Sequence, residues 1–374
     1  MKKLIAALLF LIFACASHQI RFQPDGVIYI SEIVTLKNTG ENKTLLSAFH
    51  PDGTQVKKLE IDGLMARMSP DQDRLVYINV NRDPGQSPWD LVIADSNGQQ
   101  VKTLPFLTKA AKQDKFVQDI AWSPDGDKLS ILLISNEFVR GRIKGYQIFA
   151  VAFDLKTERI LQIYKEFCPS LEDPCYYGLG WFKDSRRLLL SGSSGIQIID
   201  LTTHQTRSIT DSPARAQLLS GDQKLIAITA LPQDETFSQI RTYDLKTGLI
   251  GTEIPVGFYP KRFVASRDGR SILLQGKPPR TNDIFTVALA DRLVNQLEIP
   301  DMILLPMTFS PGNSQLVACI GGKEVAGYGI YDLINGTFFE LKQFDENAPR
   351  GEKVVLSVLL NRIDWFASVP PLTH

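Results

Sequence analysis

Short apolar runs recur along the chain, and each run is bounded by residues that favour turns. Clear examples span residues 75–78, 129–133, 188–190, 225–228 and 272–274. Apolar runs of this length between turn residues predict β-strands. No stretch after the N-terminal segment repeats its apolar residues with sustained helical periodicity. The pattern therefore predicts an all-β protein.

A five-residue phrase stands before each of these strands. Its clearest copy is Trp122-Ser-Pro-Asp-Gly126, in which Pro presets φ, Asp bonds its own backbone and Gly takes a positive φ. The copies centre on positions 25, 71, 125, 184, 222, 268 and 312, and are therefore 38 to 59 residues apart. The interpretation makes the following aspartates equivalent: Asp71, Asp125, Asp184, Asp222 and Asp268. A repeat of about 40 to 50 residues is typical of propeller blades.

A second hairpin follows in each repeat, where an alternating strand ends in Asp and a turn precedes the next strand. Examples span residues 91–98, 149–154, 196–209, 240–248 and 329–336. Four strands per repeat make one antiparallel propeller blade. Six repeats fill residues 63–344, and strands from both chain ends, within 44–59 and 353–368, predict a seventh blade that closes the ring. Six or eight blades are the alternatives, with residues 27–36 as an extra strand or part of an eighth blade.

The repeat resembles a known family. Ser-Pro-Asp-Gly followed by a strand, and then a strand followed by Asp-x-x-x-Gly and another strand, is similar to the blade repeat of the TolB-like propellers. The resemblance covers nearly the whole mature chain and implies the blade architecture. TolB itself is the periplasmic propeller of the Tol-Pal system.

The N-terminus is typical of an export signal. Lys2 and Lys3 precede an apolar run over residues 4–14, which is too short to span a bilayer. Its end, up to Cys15, resembles a bacterial lipobox. We expect a signal peptide over residues 1–15, lipidation of Cys15 and a single propeller domain over residues 16–374. Ala16, in place of Asp, favours the outer membrane, and plain cleavage near Cys15, giving a soluble periplasmic or secreted protein, is the alternative.

The cysteines fit an exported protein, and the charge balance argues against binding to nucleic acid or an anionic membrane. In an oxidising compartment Cys168 and Cys175 are expected to pair, whereas Cys319, in an apolar run, is expected to be a buried free thiol. The 41 basic and 41 acidic residues balance, so no global field attracts nucleic acid or an anionic membrane. We expect membrane contact through the lipid anchor only.

Residues that could carry chemistry are scattered. His50, His204 and His374 are isolated in the sequence and are interpreted as solvated, and the repeated aspartates are interpreted as turn caps that ring symmetry keeps apart. No catalytic, cofactor or metal residue is predicted.

Loop length favours one face of the disc. The long connections share that face and span residues 81–88, 107–115, 136–145, 165–176, 232–237, 277–282 and 344–352. Function concentrates in such loops on a rigid scaffold. Two neighbouring loops are locally basic, and their cations are the candidate partner-binding residues: Lys109, Lys112, Lys115, Arg140, Arg142 and Lys144.

The sequence therefore supports a monomeric cell-envelope binding protein, without cofactor. It would engage a protein partner through its long-loop face or its central channel. The alternative is a propeller enzyme of the lyase, cyclase or hydrolase type with a site in the channel.

Overall fold

The computed structural model describes most of the chain after the N-terminal segment. The described residues are 26–36, 42–80, 89–104, 115–139, 142–168, 178–219, 221–231, 234–258, 260, 262–275, 283–297, 303–321, 326–343, 352–353 and 362–366. These residues form strands and turns, as the apolar pattern predicts. None of them belongs to a helix long and apolar enough to cross a membrane.

The described strands are numbered in chain order. They are β1 (Val27–Leu36), β2 (Asn42–Phe49), β3 (Gln55–Ile61), β4 (Leu64–Met68), β5 (Arg74–Val80), β6 (Trp89–Asp95), β7 (Gln100–Leu104), β8 (Lys115–Trp122), β9 (Lys128–Val139), β10 (Arg142–Asp154), β11 (Arg159–Cys168), β12 (Gly178–Trp181), β13 (Arg187–Gly192), β14 (Gly195–Asp200), β15 (Gln205–Thr210), β16 (Ala214–Leu218), β17 (Lys224–Leu231), β18 (Asp234–Asp244), β19 (Ile250–Val256), β20 (Arg262–Ala265), β21 (Ser271–Gln275), β22 (Ile284–Ala288), β23 (Leu293–Gln296), β24 (Ile303–Phe309), β25 (Gln315–Gly321), β26 (Ala326–Asp332), β27 (Thr337–Gln343), β28 (Glu352–Lys353) and β29 (Arg362–Phe366).

The strands form seven antiparallel sheets arranged as a β-propeller, which confirms the predicted fold class. Blade 1 combines β1–β3 with β28 and β29, and blades 2 to 7 are β4–β7, β8–β11, β12–β15, β16–β19, β20–β23 and β24–β27. Within each blade we call the strands A to D from the axis outwards. The A strands of neighbouring blades contact one another, as β4 does β8 and β24 does β29, and therefore lie next to the axis.

Blade 1 closes the ring with strands from both chain ends, as predicted. The C-terminal strand β29 pairs with β1 from Val27↔Phe366 to Ser31↔Arg362, and β28 pairs with the other end of β1. Since β28 and β29 lie along the same edge of β1, they form one interrupted A strand. The prediction that residues 27–36 form an extra strand or part of an eighth blade is wrong, because β1 is the B strand of this closing blade.

The hydrophobic core is divided among the seven interfaces between neighbouring blades. Alternate residues of one strand serve two interfaces, because successive side chains point to opposite faces of a sheet. In β9, for example, Ile131 and Leu133 pack against blade 2, while Leu132 packs towards blade 4. The other described clusters join blades 4 and 5, 5 and 6, 6 and 7, 7 and 1, and 1 and 2. The core therefore holds neighbouring blades together around the whole ring.

The Ser-Pro-Asp-Gly phrase forms the turn between strands A and B. The serine hydroxyl donates to the aspartate, as Ser266 Oγ does to Asp268 at 2.6 Å, and the aspartate accepts a backbone N–H two residues later. Counted from the serine position, the fourth residue of the turn has a positive φ in each described copy: Gln72 (62°), Gly126 (70°), Ser185 (54°), Asp222 (57°), Gly269 (70°) and Asn313 (62°). The backbone conformation is therefore kept where the predicted glycine is absent.

The blade 5 turn is shifted by one residue from the sequence prediction. The N–H of Leu219 donates to the carbonyl of Lys224 at 3.0 Å, a bond that the first residue of each other described AB turn makes with the sixth. Asp222 is consequently the fourth residue and Gly221 occupies the aspartate position. The predicted equivalence of Asp222 with Asp125 is wrong. The prediction compared residue types along the sequence, whereas the backbone hydrogen bonds determine which residue occupies each position of the turn.

The fourth residue of these turns also links neighbouring blades. At three positions its polar side chain accepts a backbone N–H from the AB turn of the preceding blade. Ser185 accepts from Asp125 at 3.0 Å, Asn313 accepts from Arg267 at 2.8 Å, and Asp222 accepts from Lys183. Gln72 instead accepts the Tyr29 hydroxyl of blade 1 at 3.3 Å. Where it is glycine, a neighbouring side chain packs on it. A Cβ at Gly269 would lie 2.4 Å from Leu219, and one at Gly126 would lie 2.9 Å from the Arg74 guanidinium.

Candidate functional site

The two faces of the disc carry different connections. The AB and CD turns share one face, because the strands of each blade are antiparallel and run in order. The described turns on this short-turn face are tight, for example residues 123–127 and 245–249. The BC and DA connections share the opposite face, where the ten residues between β7 and β8 form one of the connections. The longest connections therefore lie on the predicted long-loop face, although some connections there are short, such as residues 193–194 between β13 and β14.

The structure corrects three of the predicted loops, of which residues 136–145 change most. Most of residues 136–145 belong to β9 and β10, which continue as a hairpin to the pair Val139↔Arg142. The flanking strands end earlier, since Lys115 of β8 pairs with Ser135 and Cys168 of β11 pairs with Tyr146. Residues 136–139 and 142–145 therefore form a two-stranded ribbon that extends beyond the blade by about 13 Å, at about 3.3 Å per residue. We call it the blade 3 ribbon. Likewise, residues 165–168 and 234–237, predicted as loop, lie in β11 and β18.

A β-bulge and a glycine shape the base of the ribbon. The register shifts between Ile143 and Gly145, which leaves Lys144 as the extra residue. A Cβ at Gly145 would lie 2.3 Å from the carbonyl oxygen of Cys168 and 2.8 Å from the Phe167 ring. Only glycine permits this close approach of β10 to the end of β11. A short hairpin is marginally stable alone, so this contact stabilises the base of the ribbon.

Hydrogen bonds tie the neighbouring strand β11 to blade 4. Tyr164 O–H donates to Glu166 Oε2 at 3.2 Å, and Ser194, in the BC turn of blade 4, donates to Glu166 Oε1. Burial, the Glu166 charge and the hydrogen bond from Tyr164 to Glu166 raise the pKa of Tyr164 to about 12. A hydrogen bond with the Gln197 side chain has the opposite effect on this pKa. The phenol therefore stays protonated at neutral pH and remains a donor. The ribbon stands beside a strand fixed to the next blade.

Cys168 ends β11 next to this network. It is buried and disulfide-bonded, and its sulfur accepts from Ser193 Oγ at 3.7 Å. Its predicted partner, Cys175, lies outside the described residues, so the pairing stays a prediction.

We expect peptides from the non-reduced protein to contain a Cys168–Cys175 bond when analysed by mass spectrometry. The bond closes a short loop, so its loss should cost at most about 2 to 3 kcal/mol of unfolding free energy. A peptide that joins Cys168 to Cys319, or one with both Cys168 and Cys175 as free thiols, would contradict the pairing.

The predicted basic residues lie at this end of blade 3 so far as the structure describes them. Lys115 is the first residue of β8, and Arg142 and Lys144 belong to the ribbon. Lys109, Lys112 and Arg140 lie outside the described residues. The backbone thus brings the end of the 105–114 connection to the base of the ribbon, whereas the clustering of all six cations stays a prediction.

Polar side chains of the A strands connect neighbouring blades close to the axis. Arg67 of β4 and Asp119 of β8 are 3% and 7% exposed, and Arg67 Nη2 lies 3.6 Å from Asp119 Oδ1. Arg67 Nε also donates to the carbonyl of Ile120 at 3.3 Å, and Trp122 Nε1 donates to the carbonyl of Arg67 at 3.1 Å. Between blades 5 and 6, Gln217 bonds both the N–H and the carbonyl of Ala265, at 2.9 and 3.0 Å. These groups join adjacent A strands. Sequence reasoning missed them, because each partner lies in the next repeat.

The repeated aspartates other than Asp222 cap the turns in which they stand. In the CD turns, Asp200 accepts the N–H groups of Thr202 and Thr203, at 2.8 and 3.0 Å, and the bond from Thr203 contributes most to lowering the pKa of Asp200. The part of the chain that the structure describes contains no group of three His, Cys, Asp or Glu side chains placed to hold a metal ion.

The histidines occupy different environments. His204 is exposed with a φ of 56°. His50 is half-buried, and its Nδ1 is buried without a hydrogen-bond partner among the described residues. The expectation of a solvated side chain is therefore wrong for His50, whereas His374 lies outside the described residues.

Solved structures of other proteins share the fold of this chain. No protein-family model and no curated protein matches the chain. The propeller domain of the Trilobed protease from Pyrococcus furiosus matches with a TM-score of 0.56 and 10% identity over 87% of this chain and 95% of that domain. Pyrococcus horikoshii acylaminoacyl peptidase matches with a TM-score of 0.57 and 12% identity over 85% of this chain, which spans only 50% of the peptidase.

TolB from Acinetobacter baumannii also matches, with 17% identity over 82% of this chain and 77% of TolB, at a TM-score of 0.44. At such low identities the structural similarities show a shared fold alone. The resemblance to TolB-like propellers therefore continues to rest on the repeat motif.

Proposed function

We propose that this protein is an exported cell-envelope propeller that binds a protein partner through its long-loop face, with the blade 3 ribbon at the centre of the contact. The observation that carries the proposal is the ribbon itself, a hairpin that stands beyond both flanking strands. The close contact at Gly145 and the bonds from β11 to blade 4 support it from one side. A supported projection loses little conformational freedom on binding, which favours affinity.

Charge indicates the kind of partner. Residues 136–145 contain Arg140, Arg142 and Lys144 against the single acidic residue Glu137. The preceding connection adds Lys109 and Lys112, and Lys115 begins β8. A cationic projection favours an acidic protein surface and accelerates its encounter at low salt.

The alternative from the sequence is an enzyme with a site in the central channel. The described polar side chains of the A strands favour binding over this alternative. Arg67, Asp119 and Gln217 are engaged with neighbouring A strands, an arrangement that stabilises the ring.

Charge reversal tests the proposed surface. Replacing Lys112, Arg140 and Arg142 with Glu should reduce partner capture from crosslinked envelope membranes by about tenfold, because attraction to an acidic surface becomes repulsion. The matched control replaces three exposed cations of the short-turn face, Lys183, Lys246 and Arg270, with Glu. If the three control substitutions abolish partner capture and the substitutions of Lys112, Arg140 and Arg142 do not, the proposed face is wrong.

We further propose a periplasmic location with a lipid anchor on Cys15 in the outer membrane. The lipobox-like end of the leader and the TolB-like repeat support this location.

A further inference from the structure

A separate pocket lies on the rim of the short-turn face, between blades 5 and 6. Its volume is about 510 Å³, within the range of small-ligand sites. Residues from two blades line it, among them Lys224, Thr242, Leu249 and Ile250 of blade 5 and Arg292 of blade 6. The pocket is far in the topology from the blade 3 ribbon and does not depend on the proposed partner.

A β-bulge between β18 and β19 forms the blade 5 wall. The register of the strand pair shifts between Arg241 and Tyr243. At this place the Thr242 side-chain oxygen Oγ1 accepts the backbone N–H of Thr252 at 2.8 Å. Gly251 permits this approach, since a Cβ there would lie 2.6 Å from Thr242 Oγ1. Bulges redirect side chains and occur frequently beside functional sites. Here the bulge lies directly after two exposed apolar residues.

Those two residues form an apolar lip. Leu249 is 67% exposed and Ile250 is 49% exposed, although both are large and apolar. Covering such surface is favourable roughly in proportion to the apolar area removed from water. A ligand with an apolar chain would gain this contribution.

Two cations complete the pocket. Lys224 lies opposite Asp244 in the pairing of β17 with β18, and Arg292 comes from the CD turn of blade 6 with a φ of 56°. Asp244 already accepts the N–H groups of Lys246 and Thr247, at 3.0 and 2.8 Å. The bond from Thr247 contributes most to lowering the pKa of Asp244, and the charge of Lys224 adds to it. Asp244 therefore offsets part of the Lys224 charge.

Arg292 is the stronger anion anchor of the two. Among the described residues, no carboxylate forms an ion pair with it. Its planar guanidinium suits a bidentate carboxylate.

We propose that this pocket binds a small carboxylate that carries an apolar chain, with the carboxylate on Arg292 and the chain against Leu249 and Ile250. Titration calorimetry of the full chain with octanoate tests it, with acetate as the head group alone and octanol as the chain alone. Octanoate should bind at least about tenfold more tightly than either, because only octanoate uses both parts of the site. Equal binding of acetate or of octanol, or no binding of octanoate, would overturn the proposal.

Variants locate the binding. Arg292→Gln and Leu249→Ser should each weaken octanoate binding by about tenfold, and Gln72, with a φ of 62°, shows that glutamine is tolerated at such a backbone position. The controls are Arg270→Gln, another exposed cation of blade 6, and Ile334→Ser, an apolar CD-turn residue that is 78% exposed in blade 7. They should bind octanoate like the wild type. Octanoate binding that Arg292→Gln and Leu249→Ser leave unchanged would place the ligand elsewhere and contradict the assignment.

Discussion

Replacing Asp119 with alanine should lower the free energy of unfolding by about 3 to 5 kcal/mol, because it removes one charged partner from a buried ion pair. Arg67 is only 3% exposed and lies between the A strands of blades 2 and 3. Asp119 Oδ1 is 3.6 Å from its Nη2 and also accepts the N–H of Ile120 at 2.8 Å. The loss should appear as a lower denaturant midpoint in equilibrium unfolding.

A double variant separates the ion pair from simple packing. Arg67→Met with Asp119→Leu removes both charges and retains side-chain volume, so it should be more stable than Asp119→Ala. If the double variant loses the sum of the losses of Arg67→Met and Asp119→Leu measured singly, the two side chains act independently and the ion pair does not couple them.

Replacing Cys15 with serine should move most of the protein from the membrane fraction to a soluble fraction. Each buried methylene of an attached acyl chain contributes about 0.8 kcal/mol to membrane binding, and two chains suffice for stable anchoring. Without the thiol no acyl chain can be attached. Cell fractionation followed by immunoblotting measures the shift.

The control for this variant is metabolic labelling of the wild type with a radioactive fatty acid. Label should enter the wild type and be absent from Cys15→Ser. A wild type that is already soluble in the periplasm, or that carries no label, would contradict the anchor and favour plain cleavage of the leader.

The blade architecture could be predicted because its determinants are local. Pro-Asp-Gly turns fix the AB connection within five residues, and the apolar alternation shows which side chains are buried. The closing blade could also be anticipated, since strands were left over at both ends. The place of β1 could not, because its order in the sheet depends on pairing with β29, more than 300 residues away.

The details that prediction missed depend on contacts between repeats or on backbone geometry. The segment Ser220-Gly221-Asp222 looks like Ser-Pro-Asp. The hydrogen bond from the Leu219 N–H to the Lys224 carbonyl nevertheless sets another register for this turn. Residues 136–145 combine charges with two glycines, the composition of a loop, although Gly145 serves close packing against β11. The pocket beside Arg292 needs two blades, so no single repeat could indicate it.

The most direct test of the central claim is site-specific photocrosslinking in intact cells. A benzoylphenylalanine at Phe138, in the ribbon, is compared with one at Lys246, in a CD turn of the short-turn face. If the long-loop face binds the partner, the probe at position 138 gives a defined adduct with an envelope protein and the probe at position 246 does not. Adducts formed only from position 246, or from neither position, would contradict the claim that this protein binds through the blade 3 ribbon.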